Sequence, residues 1–329
     1  MENSQSPISE NPPRLISSIT EGFNVVANHI YLILFPLLLD VFLWLGPHLR
    51  IKNLFQPLVL SLISDLPELS NPELAEMSKW SKELWDILLS HFNLISLIRV
   101  FPIGIPSLMA GISPIQTPYG SASLFEINNV FQVFFIWVAF TLAGIVLGCL
   151  YFDAISRATS NTTTHFSINQ ILDVFIQIII FTILCFVVIL LFSLPCLLLI
   201  TLLSLISMTL GQIAVLFLFI IIIWFVMPLV FSPHGVFVSH DPITTSISTS
   251  IRLVRNFLPG TGMFILTALM LYQGLNLLWE TAPDTSWMTM VGIFGHAFIS
   301  TGLIASSFVY YRKGLDWMES KLHQPAIQA

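Results

Sequence analysis

The sequence predicts an all-α integral membrane protein: a six-helix transmembrane bundle with interfacial amphipathic helices and a long extracytoplasmic loop. Three observations carry this expectation. Val174 to His240 are 67 consecutive residues without a Lys, Arg, Asp or Glu. Every element of a water-soluble domain needs a solvated face, so a soluble domain cannot hide such a run. Charged residues are 9% of the 329-residue chain and hydrophobic residues 55%, against about 25% charged in typical globular proteins. That composition excludes a disordered chain and a water-soluble enzyme. Finally, stretches of bilayer length recur, since about 20 apolar helical residues cross a core about 30 Å thick.

The first twenty residues are polar and lack a basic start followed by an apolar core, so no cleavable signal peptide is expected. Residues 1–14 read as a disordered cytoplasmic N-terminus and 314–329 as a cytoplasmic tail, with one transmembrane domain between them. The first span covers about 27–47. The second covers 127–152 and the third 174–194, where Pro195 interrupts it. The fourth covers 212–231, the fifth 258–279 and the sixth 286–311. Trp279, Trp287, Tyr310 and Tyr311 stand at span ends, where amphipathic rings favour the headgroup level. The apolar stretch 196–210 reads as a continuation past a kink or as a re-entrant hairpin. A seventh span there would move Arg252, Arg255, Arg312 and Lys313 outside. With six spans, Arg14, Arg157, Arg252, Arg255, Arg312, Lys313 and Lys321 share one side, while the loops near Gly211 and Asp284 carry no Lys or Arg. The positive-inside rule then puts both termini in the cytoplasm of a cell-membrane protein.

The outside loop, 48–125, contains an amphipathic helix over Glu73 to Val100. Its apolar positions Met77, Trp80, Leu84, Leu88 and His91 recur at helical spacing, between Glu76, Lys79, Glu83 and Asp86. A Pro/Gly stretch follows, from Pro102 through Gly104, Pro106, Gly111, Pro114 and Pro118 to Gly120. Its apolar content predicts that it lies on the membrane or caps the bundle. Leu15 to Asn28 and Ile243 to Asn256 read as interfacial helices leading into spans, with Phe166 to Asp173 as a shorter version.

Within span one, Asp40 is the sharpest single residue. An acid at that depth costs several kcal/mol unless it is paired, protonated or hydrated. It is either functional or a structural acid bonded to another helix. Its candidate partners are His296 in span six and Gln273 and Asn276 in span five. Those amides share a face with Glu280, a face expected to point into the bundle. A second cluster, Asp153, Arg157 and Asp173, stands at cytoplasmic span ends. Asp153 and Arg157 have i, i+4 spacing, which suits an ion pair. It is a boundary salt bridge, a gate or a headgroup contact. Gly144 and Gly148 form a GxxxG pattern, and Gly295, Gly302 and Ser306 line one side of span six. Both read as close helix contacts.

Cys149, Cys185 and Cys196 fit no metal-ligand spacing. The Asn161-Thr162-Thr163 sequon falls on the cytoplasmic side, where it is unused. No nucleotide, nucleophile-elbow or zinc motif occurs. No catalytic, cofactor or metal residues are therefore expected, and no basic stripe offers itself to nucleic acid. Membrane lipid is the expected partner, with a second copy or another membrane protein left open.

Two stretches carry a resemblance: Phe294 to Arg312 (FGHAFISTGLIASSFVYYR) and Phe35 to Pro47 (FPLLLDVFLWLGP). Both resemble bacterial multi-pass proteins of this length that have no characterised role. Those in turn look like the membrane domain attached to some glycerophosphodiester phosphodiesterases. The phosphodiesterase domain itself, with its metal-binding acids, has no counterpart here, so the resemblance implies no hydrolase activity. The functional expectation is a non-enzymatic integral membrane protein, lipid-interacting or an accessory scaffold. The alternatives are a small transporter or channel built on buried polar residues, and a lipid-acting enzyme, for which no nucleophile–base pair is found.

Overall fold

The protein is described from a computed structural model covering residues 11–64, 72–160 and 168–323. The first ten residues and the sequon lie outside the described residues. Helices dominate, and five are long and apolar enough to cross a membrane.

Helix α1 (Leu15–Asn28) has the bounds its amphipathic pattern predicts. His29 leaves helical geometry, and the chain turns through 92° into a short 3-10 turn (Ile30–Ile33) and α2 (Leu34–Leu45). A short strand, β1 (His48–Arg50), follows. Next come α3 (Lys52–Ser64) and α4 (Pro72–His91), which pack on each other. Helix α4 stops at His91, short of the expected Val100. Trp80, Leu84 and Leu88 of its apolar stripe are all more than half exposed. Apolar Leu58 and Leu62 of α3 are exposed as well. Such a pair suits an interfacial position, with apolar side chains resting in the headgroup boundary.

The chain then makes a 3-10 turn (Leu94–Ile98), an irregular stretch, and the one-turn α5 (Met109–Ile112). A minute hairpin of β2 (Gln116–Thr117) and β3 (Gly120–Ser121) leads to β4 (Leu124–Glu126), which pairs in parallel with β1. The two ends of the loop are thereby tied together.

Helix α6 (Val130–Ala158) begins with an Asn129 cap, whose side chain accepts from Phe131 N. Helix α7 (Ile168–Ile206) is one helix of 39 residues, about 58 Å at 1.5 Å per residue. Pro195 does not interrupt it. Proline removes one backbone donor and leaves the Leu191 carbonyl without its helical partner, a single lost bond that a long apolar helix tolerates. Ser193 donates to Leu190 O (3.3 Å) and Thr201 to Leu197 O (2.7 Å), neither of them the freed carbonyl. The stretch 196–206 is thus the continuation of the third apolar helix. Asp173 lies inside α7, so the described part of the shorter interfacial unit, 168–173, is no separate element.

After Ser207, α8 (Met208–Val226) begins four residues before the expected boundary and returns along α7. A 3-10 turn (Met227–Leu229) leads to the buried α9 (Ser232–Val238). Helix α10 (Ile243–Asn256) again matches its predicted bounds, followed by α11 (Leu258–Trp279) and α12 (Thr289–His323). The helix α12 runs ten residues into the expected tail, because Gly314 meets Leu253 and Trp317 is buried.

Helix α1 packs along α12, where Gly22 faces Ser306 and Phe23 faces Gly302. The small residues of span six thus receive an intramolecular partner, and Gly295 receives the Trp279 ring. Basic and polar groups gather at one end of the bundle. Arg312 donates to Ser156 O (2.8 Å), Ser156 donates to Phe237 O (3.2 Å), and Lys313 pairs with Glu21 (2.5 Å). Aromatic groups gather at the other end. Trp44 donates to Asp284 O (3.0 Å), and Trp287 contacts both Trp44 and Tyr119.

Candidate functional site: a cleft beside a buried non-helical segment

The Pro/Gly stretch does not cap the bundle; it enters it. Gly144 of α6 meets the Ile98 carbonyl and the Val100 side chain, and Gly148 meets the Ile103 carbonyl. These glycines lie about 21 Å and 27 Å along α6 from Val130, at about 1.5 Å per residue. The GxxxG pattern therefore admits an irregular backbone where a neighbouring helix was expected. Any side chain at either position would collide with those carbonyls.

Irregular backbone among apolar helices must find hydrogen-bond partners inside the protein. Two side chains supply them. Asn93 Oδ1 accepts from Ile95 N and from Leu49 N, both at 3.1 Å, fixing the entrance to β1. Asp40, fully buried in α2, serves the inner turn. Its carboxylate accepts from Met109 N (3.0 Å), from Leu108 N (3.1 Å) and from the Ser107 hydroxyl. The Ser107 oxygen in turn accepts from Ala110 N (3.0 Å), and its carbonyl accepts from Arg99 (3.4 Å). Asp40 is thus the N-terminal cap of α5, where backbone N–H groups converge on an acceptor. Its partners are this segment, not His296, Gln273 or Asn276.

Of the other candidates, His296 and Asn276 do meet. His296 Nδ1 lies 2.8 Å from Asn276 Oδ1 and donates to it in the Nδ1–H tautomer. His296 Nε2 is buried without a partner among the described residues. Gln273 and Glu280 are exposed. Three helical residues advance the direction by about 300°, so Gln273 stands about 60° around from Asn276, past the edge of the α11–α12 contact. Asp153 and Arg157 form an ion pair at 2.8 Å. Asp173 makes no ion pair among the described residues. It lines a neighbouring cavity of about 260 Å³ with Gln170 and Asp241. His240 lies on the wall of that cavity and of a 70 Å³ one beside Asp153, Arg157 and Arg312.

The irregular segment makes one wall of a cavity of about 510 Å³. The other walls are Phe152, the Val230–Phe231 corner, one face of α11 (Phe264 to Tyr272) and one face of α12 (Ser300 to Ser307). Most of this lining is apolar. Its hydroxyls are largely committed: Ser300 donates to His296 O (2.7 Å), and Ser307 donates to Ile304 O (2.7 Å). His234 Nε2 lies 2.8 Å from the Ser307 oxygen. Two polar groups keep spare capacity. Tyr272 makes no hydrogen bond among the described residues, and Arg99 makes only the long one to Ser107. No Asp or Glu lines the cavity.

Sequence reasoning missed Arg99, because a cation in a long outside loop carries no topological weight. It also missed Tyr272. The one signal available was the apolar character of Phe101 to Ile112, too high for a solvated linker. Among the described residues no three His, Cys, Asp or Glu side chains gather as metal ligands would. Compared with protein-family models, curated proteins and solved structures, the chain matches none of them.

Proposed function

We propose that this is a non-enzymatic multi-pass membrane protein of six spans, both termini cytoplasmic, which holds membrane lipid in the cleft beside Arg99. The carrying observation is the cleft itself, an apolar chamber of about 510 Å³ opening among long apolar helices. That volume falls within the range of about 300–1,000 Å³ typical of small-molecule sites, which are mostly apolar with a few placed polar groups. The sixth span is Leu15–Asn28 and Ile30–Leu45 taken together, a pair bent by 92°. Its support is the gathering of Arg157, Arg312 and Lys313 at one end of the bundle. The loop 48–125 then lies outside the cytoplasm, with α3 and α4 at the interface. A transporter needs a polar path through the bundle, whereas the Asp40 carboxylate is sealed by its three donors.

Filling the cleft tests the reading. Ala268 of α11 lines it, and Ala268→Trp should occupy the chamber. Lipid that co-purifies with the native protein, measured by mass spectrometry, should fall several-fold in this variant, with the melting temperature kept. Equal lipid content in both proteins would overturn the proposal.

A further inference from the structure

Resting on that reading, we infer that the occupant of the cleft is a single-chain amphiphile with a carboxylate head, gripped by the guanidinium of Arg99. A guanidinium presents five N–H donors in a planar fork, and Arg99 uses one, at 3.4 Å. A cation among apolar helices is paired or faces a cavity that supplies its partner. The charge nearest in the hydrogen-bond chain is Asp40, but Ser107 stands between the two, and both Asp40 oxygens are engaged by Ser107, Leu108 and Met109. The cleft offers no acid of its own. Arg99 is exposed and lines a chamber whose remaining surface suits hydrocarbon, such as Phe264, Leu269 and Leu303. A fork of donors beside an apolar chamber is complementary to an anionic head on an apolar chain.

Charge and size narrow the class. Among the described residues Arg99 is the sole Lys or Arg lining the cleft, so it balances one negative charge; a phosphate monoester would bring about one and a half to two. The volume is that of one small ligand, not of a two-chain phospholipid. Tyr272, on the α11 wall, adds a further donor to the cleft.

The test uses the full chain in phosphatidylcholine nanodiscs. Two photoactivatable probes share one diazirine-bearing chain: an oleate and the corresponding monoacylglycerol. Labelling is mapped by peptide mass spectrometry. The oleate should label α11 and residues 99–106 on the order of tenfold more than the uncharged probe, as a charge-assisted bidentate contact allows. Arg99→Gln should erase that preference, and Arg99→Lys, which keeps the charge without the fork, should erase part of it. Equal labelling of the cleft by both probes overturns the carboxylate inference and leaves the lipid site standing. Absence of label from the cleft with either probe overturns both. Stronger competition by lysophosphatidate than by oleate overturns the assignment to a carboxylate. The comparison of probes on the native protein does not depend on either variant folding.

Discussion

The α7–α8 arm and the segment from Asn93 to Ile127 meet the same environment in opposite ways. Beyond Gln177 the arm is apolar on nearly all sides. Leu198, Leu205 and Trp224 are each about two-thirds exposed or more, and α8 packs chiefly on α7 and the turn that follows it. Its backbone needs no help, because a helix bonds its own carbonyls and N–H groups. The segment beside Gly144 and Gly148 has almost no regular structure, yet Ile103, Ile105, Leu108 and Met109 are nearly inaccessible. Side chains serve its backbone, Asp40 from α2 and Asn93 from the segment's own start. A helix in lipid is autonomous, whereas an irregular strand among helices depends on a few polar side chains.

The contrast makes Asp40 the most sensitive position. Asp40→Leu strands three donors in a buried site, and each stranded group costs about 1–3 kcal/mol. We expect a loss on the order of 3 kcal/mol or more, seen as poor yield or a much lower melting temperature in detergent. Native-like melting of this variant would mean that the segment does not depend on Asp40.

Gly148→Leu comes next. Its side chain would take the place of the Ile103 carbonyl, and overpacking of this kind costs about 1–3 kcal/mol. The smallest effect belongs to the arm. Leu198→Ala removes a side chain that is 64% exposed, and substitutions away from packed features stay within about 0.5 kcal/mol. If Leu198→Ala destabilised as much as Gly148→Leu, the arm would be held by contacts and would not be autonomous.

What could be read in the sequence follows the same division. Helices α1 and α10 were legible to the residue, because an amphipathic pattern between a polar start and an Asn stop is a local property. The long apolar helices were legible as well, apart from the passage through Pro195, where single-residue rules assume an aqueous surrounding. The candidate site was legible only in pieces. Asp40 stood out through its burial cost, and His296 and Asn276 through their spacing on facing helices. The partners of Asp40 were not legible. Ser107, Leu108 and Met109 follow it by 67 to 69 residues, and two of them contribute backbone N–H groups, which every non-proline residue carries. Gly144 and Gly148 were recognised as a close-approach site, but a glycine pair does not say whether a helix or a loop approaches.

The claim that joins the fold to the cleft is that residues 99–112 lie within the bundle, held by Asp40. Hydrogen exchange followed by mass spectrometry in nanodiscs tests it most directly. The account predicts that peptides over 99–112, though non-helical for most of their length, exchange as slowly as those of α6, and that Asp40→Asn speeds their exchange while leaving α7 and α8 unchanged. Rapid exchange of 99–112 in the native protein would contradict it, and would leave the cleft without one of its walls.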